Sequence, residues 1–177
     1  QQNEGGNDLV FLNVQGARLG MLNIEKFKRQ IEYCLLPNGT CTNNVLQIHG
    51  RYSNTTPFDF MAPMGIWFEN FGLPLVINEC MLQSYSGTLR FFPNWNETTA
   101  EFRNLRVEGA FLVSARSEAG AVQWIEIESE AGGELRLYSP WKSGAICRYR
   151  GKDAAIRDSE ISLETKPGES IRFFPLR

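Results

Sequence analysis

Few residues in this chain could carry catalysis. His49 is the one histidine among 177 residues, so a histidine-based triad would depend on it alone, and a multi-histidine metal site is excluded. It stands in a polar, Asn- and Thr-rich stretch over 38–56 as His49-Gly50-Arg51-Tyr52: a base, a cation and a phenol within four residues. Connections beyond about 12–15 residues are usually functional or disordered, which makes His49, Arg51 and Tyr52 candidates for ligand contact. Carboxylates offer the other route, because general acid–base work needs a proton donor and an acceptor positioned together. Asp59 and Glu79 fall in predicted helices and Glu69 at the end of one, with Asn70 beside it. Glu79, within an apolar helix, also suits a structural hydrogen-bonding role. Cys34, Cys41, Cys80 and Cys147 include no CxxC pair, so zinc-ribbon and thioredoxin-type chemistry have no motif here. Cys34 and Cys41 are close enough along the chain for a loop disulfide, but four scattered buried thiols suit a domain of this size. Neither a metal nor a cofactor is expected.

The elements that must position these residues change character near Gly87. Apolar residues make up 42% of the chain and charged residues 21%, enough apolar material for a packed core. Net charge is −2, and no five-residue window is mostly Lys or Arg, so no nucleic-acid partner is expected. The longest clear apolar run, Leu73–Ile77, falls far short of the ~18 residues of a membrane span. Residues 1–8 read as a frayed end, and the absence of an initial Met reads as a processed or truncated chain. A helix is predicted over 23–36, capped by Asn23, with Ile24, Phe27, Ile31 and Leu35 on its buried face and Glu25–Arg29 paired on the wet one. A short helix over 58–68 runs into Asn70-Phe71-Gly72, and Pro74 restarts a second over 74–84. That second helix is apolar all round, which predicts enclosure by other elements.

After Gly87 the periodicity falls to two. Strands are predicted over 88–93, 103–108, 110–116, 121–129, 134–139, 145–150, 160–165 and 170–175. Turn chemistry separates them at Glu118-Ala119-Gly120, Ala131-Gly132-Gly133, Ser143-Gly144 and Lys166-Pro167-Gly168. Leu135 and Leu137 alternate with Glu134 and Arg136, and Ile161 and Leu163 with Glu160, Ser162 and Glu164, which implies antiparallel sheets with one buried face. The predicted fold class is α+β: a short helical segment over 1–86, then an antiparallel β-sandwich over 87–177.

One run carries a resemblance. Met64-Gly65-Ile66-Trp67-Phe68-Glu69-Asn70-Phe71-Gly72 continues through Leu73-Pro74 to Glu79-Cys80-Met81-Leu82-Gln83-Ser84, then Gly87-Thr88-Leu89-Arg90-Phe91-Phe92-Pro93. It resembles the end of the catalytic barrel in bacterial fucosidase-type glycoside hydrolases of family ninety-five. Gly109 to Ser114 and Gly132 to Leu137 are similar to the β-domain that comes after the barrel. The resemblance covers about residues 60–177 well and 17–59 loosely. It implies the last helices of an (α/α)6 barrel joined to a C-terminal β-sandwich, with the proton donor upstream of this chain and a periplasmic or secreted parent. An inverting glycosidase needs two carboxyl groups about 6.5–9.5 Å apart, so the chain alone should be catalytically silent.

The family places its general base, an Asp, two residues before the Asn of Asn-Phe-Gly. Here that position is Phe68, and Glu69 is the nearest carboxylate. Glu69 reads either as the parent's base, reached by a local register shift, or as a carboxylate on a solvated helix end. On the same resemblance Asn70, His49, Arg51 and Tyr52 would line the sugar cleft. Trp124, inside a strand, reads as core, while Trp95 and Trp141 read as interdomain packing. An independent carbohydrate-binding or interaction module is the other reading, and it requires an exposed aromatic platform on the sandwich. Without a whole barrel around them, Leu75, Val76, Met81 and Leu82 cannot all face the sandwich. The helices should then fold back as a lid or bury this face in a second copy as a homodimer.

Overall fold

The computed structural model describes residues 8–34, 67–95 and 98–176; the side chains of residues 8–9, 33–34 and 67–71 fall outside that description. The fold is α+β, with short helices followed by antiparallel sheets in a sandwich-like arrangement. Two compact units divide the chain, Gln1–Glu79 and Cys80–Arg177.

The first unit begins with a helix the sequence pattern did not predict, α1 (Asp8–Arg18). Val10, Val14 and Ala17, spaced four and three apart, are all buried. The Gly- and Asn-rich lead and Gly16 obscure that periodicity. α1 closes with Met21 N–H donating to the Gly16 carbonyl at 2.8 Å and Gly20 N–H to that of Ala17 at 3.1 Å. α2 (Ile24–Cys34) forms where expected. Asn23 caps it, its Oδ1 accepting from Lys26 N–H at 2.8 Å. Phe27 is buried, and Ile31 packs against the same cluster. The outward ion pair is corrected: Glu25 pairs with Lys28 at 2.7 Å, one residue nearer than Arg29. Residues three apart are helix neighbours as much as residues four apart.

α3 (Trp67–Met81) corrects the expected pair of helices, since it runs unbroken through Gly72 and Pro74. An interior proline removes one backbone hydrogen bond and costs ~3 kcal/mol. Its neighbour Leu73 and, two residues on, Val76 are buried with Val10, Val14 and Phe27, and each such burial contributes about 1.5–3 kcal/mol. Packing therefore outweighs the break. At Gly72 α1 approaches closely: a Cβ there would lie 2.7 Å from Val10 Cγ1. Arg18 and Glu79 pair at 2.8 Å, tying the C-terminal end of α1 to the last turn of α3. Nor is α3 enclosed on all sides. Val76 is buried and Met81 half-buried, but Leu75 and Ile77 are exposed; Leu82, just past the helix, is buried.

α3 stops at Met81 rather than at Ser84, because its last carbonyls are taken from outside the helix. Phe92 N–H donates to Met81 O at 2.6 Å and Asn94 N–H to Cys80 O at 3.2 Å. Leu82–Gln83 is instead the first strand, β1, paired with β2 (Arg90–Phe91).

The remaining strands are β3 (Ala100–Val107), β4 (Phe111–Glu118), β5 (Ala121–Ser129), β6 (Gly133–Tyr138), β7 (Ala145–Tyr149), β8 (Lys152–Ile156), β9 (Glu160–Thr165) and β10 (Glu169–Pro175). One sheet has six strands in the order β3-β4-β5-β10-β7-β8. The other layer joins β1-β2 to β6-β9 through a bridge between Leu89 and Leu137. Val113, Ile125, Ile127, Ile171 and Phe173 from the large sheet close on Leu135, Leu137 and Ile161 from the small one. The alternation expected for Leu135, Leu137 and Ile161 is the buried face observed. Ala119 and Gly120 link β4 to β5, both at positive φ, as a two-residue type I′ turn demands. Arg150 and Gly151 do the same between β7 and β8, a strand the pattern missed because Lys152–Ala155 are exposed on both faces and show no alternation.

Candidate functional site

His49, Arg51 and Tyr52 lie outside the described residues, as do Asp59, Cys41 and the rest of 35–66. Glu69 and Asn70 fall in the first turn of α3, where the structure describes the backbone but not their side chains. Glu79 is buried with one oxygen on Arg18, and joins two helices of its own unit.

The tryptophans are placed differently from expectation. Trp141 and Trp95 pack against the sandwich core itself. Trp141 Nε1–H donates to the Val122 carbonyl at 2.7 Å, and Trp95 Nε1–H to Thr98 Oγ1 at 3.2 Å. Trp124 is not core. It is half-buried on the outer face of the six-stranded sheet. A bulge puts it there: Arg116 faces Trp124 and Ser117 faces Val122, so Gln123 is the extra residue and both Val122 and Ile125 turn inward. The signal was present in the sequence, since Trp124 shares its parity with Glu126 and Glu128 rather than with Ile125 and Ile127.

Two rows of side chains cross this outer face. Register places Glu101, Arg116 and Trp124 in one row, continued by Phe174, Ile146 and Ala155. Ile125 pairs with Phe173, so Trp124 and Phe174 are cross-strand neighbours on the opposite face. The second row runs Ser114, Glu126, Arg172, Arg148 and Asp153. Arg103 enters it through a second bulge, where Arg103 and Asn104 together oppose Ser114. Asn104 has φ 54°, and its N–H donates to Ser114 Oγ at 3.0 Å. The small serine leaves room for Arg103, whose guanidinium lies 5.4 Å from the centre of the Trp124 ring.

Each guanidinium of the two rows is held by a carboxylate. Arg103 bonds Glu101 at 2.7 Å, and Arg116 bonds Glu101 at 3.0 Å and Glu118 at 2.6 Å. Arg172 bonds Glu126 at 2.7 Å, and Arg148 holds Asp153 with two bonds of 2.8 and 2.9 Å while lying 5.6 Å from the Phe174 ring centre. Hydrogen bonds from Arg116, then Arg103, hold the Glu101 carboxyl below its ordinary range, and Arg148 does the same for Asp153. Between the rows a shallow groove of about 290 Å³ is lined by Arg103, Trp124, Ile125, Glu126, Arg172 and Phe174. It offers aromatic surface beside fixed hydrogen-bonding groups, an arrangement for binding rather than for proton transfer.

A further polar cluster ties two turns together. Glu169 accepts from Arg150 Nε at 2.8 Å and Nη2 at 3.0 Å, from Lys166 N–H at 2.7 Å and from the Tyr149 hydroxyl. Its partners are strand-end and turn residues, and no cavity adjoins them among the described grooves.

Comparison with protein-family models finds no match, and comparison with curated proteins finds none either. Among the described residues, no helix is long and apolar enough to cross a membrane.

Proposed function

We propose that this chain is the C-terminal portion of a glycoside hydrolase-like carbohydrate-active protein, catalytically incomplete by itself. Its helices belong to an (α/α)6 barrel, and its sandwich is the β-domain at the end of that barrel. The observation that carries this reading is the junction at Met81–Leu82. α3 contains Asn70-Phe71-Gly72, passes into β1 without a linker residue, and has its last carbonyls bonded by the segment just after β2. A terminal helix carrying Asn-Phe-Gly and then an antiparallel sandwich is the order the resemblance implies. On this reading Glu69 is the parent's general base, Asn70, His49, Arg51 and Tyr52 contact the sugar, and the parent works in the periplasm or outside the cell. Copies of the chain associate through the helical unit. A second reading, an independent carbohydrate-binding module, draws support from the half-exposed Trp124–Phe174 stripe.

The reading frame upstream of Gln1 is the test. It should encode further helical hairpins and a carboxylate able to donate a proton; a stop codon close upstream would remove the enzyme reading. The purified chain should hydrolyse nitrophenyl glycosides no faster than background, since donor and base must act together. Turnover that disappears in Glu69→Gln would show that the chain is a complete catalyst.

A further inference from the structure

We propose that the outer face of the six-stranded sheet binds a neutral glycan chain, laid across the strands with its sugar rings on Trp124 and Phe174. A sugar ring presents two kinds of surface, C–H faces and a rim of hydroxyls. The first row supplies apolar surface in Trp124, Phe174 and Ile146, all half-buried and so partly accessible. Beside it the second row supplies carboxylate and guanidinium groups from Glu126, Arg172 and Arg148. These groups are already fixed by one another, so little side-chain freedom remains to be lost when a hydroxyl bonds to them.

Charge decides the class of ligand. The two rows, with the Glu118 that pairs with Arg116, hold four arginines (103, 116, 148 and 172) and four carboxylates (Glu101, Glu118, Glu126 and Asp153). The face is therefore neutral and each cation has a counter-charge within 3.0 Å. A polyanion would have to displace those carboxylates, and neutralising phosphates is what drives nucleic-acid binding. The core of a protein interface is depleted of charge, whereas here charged side chains lie against both aromatic rings. An uncharged, hydroxyl-rich ligand remains. From β4 to β8 the face crosses four strand spacings, about 19 Å at ~4.8 Å each, so it suits a chain better than a single sugar. The choice of a glycan among uncharged polyols rests on the carbohydrate-active reading above.

The test is native gel electrophoresis of the purified chain in gels containing a soluble β-glucan, a xylan or a galactomannan, with polygalacturonate as the acidic control. The expected result is retardation by at least one neutral polysaccharide, unchanged when salt is raised. Affinity should fall at least about tenfold, 1.4 kcal/mol, in Trp124→Ala and in Phe174→Ala. Trp124→Tyr, which keeps an aromatic face, should retain most of it, and circular dichroism separates lost binding from lost folding. No retardation by any of the three neutral polymers overturns the proposal. So does retardation by polygalacturonate alone, or retention indifferent to all three substitutions. Such a failure leaves the upstream reading frame as the judge of the enzyme reading, and retention without upstream helices would keep the groove while removing the enzyme.

Discussion

Glu169 shows how much one side chain can hold in place. Bonds from Arg150 and Tyr149, with help from the Lys166 backbone N–H, bring its carboxyl from the ordinary 4.5 down to about 2. A depressed carboxyl stabilises the folded state fully above its unfolded value and loses that contribution as pH falls through the folded one. The clasp should therefore be intact above about pH 4.5 and progressively lost toward pH 2. Melting temperature followed over that window should fall more steeply in the native chain than in Glu169→Gln, which has no proton to gain there. Parallel curves would mean the clasp contributes nothing. Sequence reading could not have found it, since Tyr149, Arg150 and Glu169 come together only when β7 and β10 pair.

Two identical tetrapeptides set a limit on legibility at the residue scale. Arg-Phe-Phe-Pro occurs at 90–93 and 172–175. Phe91 and Phe173 are both buried, but the second phenylalanines part company. Phe92 adopts φ 50° and turns inward, 5.5 Å from the Phe102 ring, while Phe174 keeps the strand alternation and faces out. Strand length makes the difference: β10 keeps its ladder to Pro175, while β2 is only two residues long.

At the scale of elements, period-two alternation and turn chemistry located the strands, because each buried face here is one-sided. The elements misread were those where packing overrides a local signal. Pro74 sits inside α3, and β8 forms without any buried stripe of its own. Gly72 is the sharpest case. Alanine would favour a helix by about 1 kcal/mol, but its Cβ would meet Val10 Cγ1 and Cγ2 at 2.7 and 2.8 Å. Valine is stiff at χ1 and cannot swing away, and overpacking costs ~1–3 kcal/mol. The clash should win. Gly72→Ala is expected to speed amide hydrogen exchange in α1 while leaving the sandwich strands protected, and Val10→Ala added to it should restore protection. Unchanged exchange in α1 would disprove the α1–α3 contact.

The two units differ in how they meet water. Phe11, Leu12, Leu19, Met21, Leu75 and Ile77 are the exposed large hydrophobics described in the helical unit, against Tyr85 and Tyr138 in the sandwich. Tyr138 carries the guanidinium of Arg90, 4.7 Å from its ring centre, so the sandwich surface is largely settled. The helical unit is where self-association should begin. Its geometry also bounds the strength. Leu75 and Ile77 are two residues apart, about 200° around a helix, so one flat contact takes only one of them. If about three of the six side chains meet a second copy, six are covered in the pair. At ~1–1.5 kcal/mol for each half-exposed chain, the gross gain is about 6–9 kcal/mol. Association itself costs at least ~4 kcal/mol, leaving about 2–5 kcal/mol, so dissociation constants should lie near or above about 0.2 mM. Sedimentation velocity should thus find a monomer at about 5 μM and a growing dimer fraction toward about 500 μM, reduced by Leu75→Ser or Leu12→Ser. A dimer already complete at 5 μM would mean that the contact buries far more than these side chains. A strict monomer at about 500 μM would put the net gain below about 3 kcal/mol, at the weak end of this range, and would remove association at about 0.2 mM.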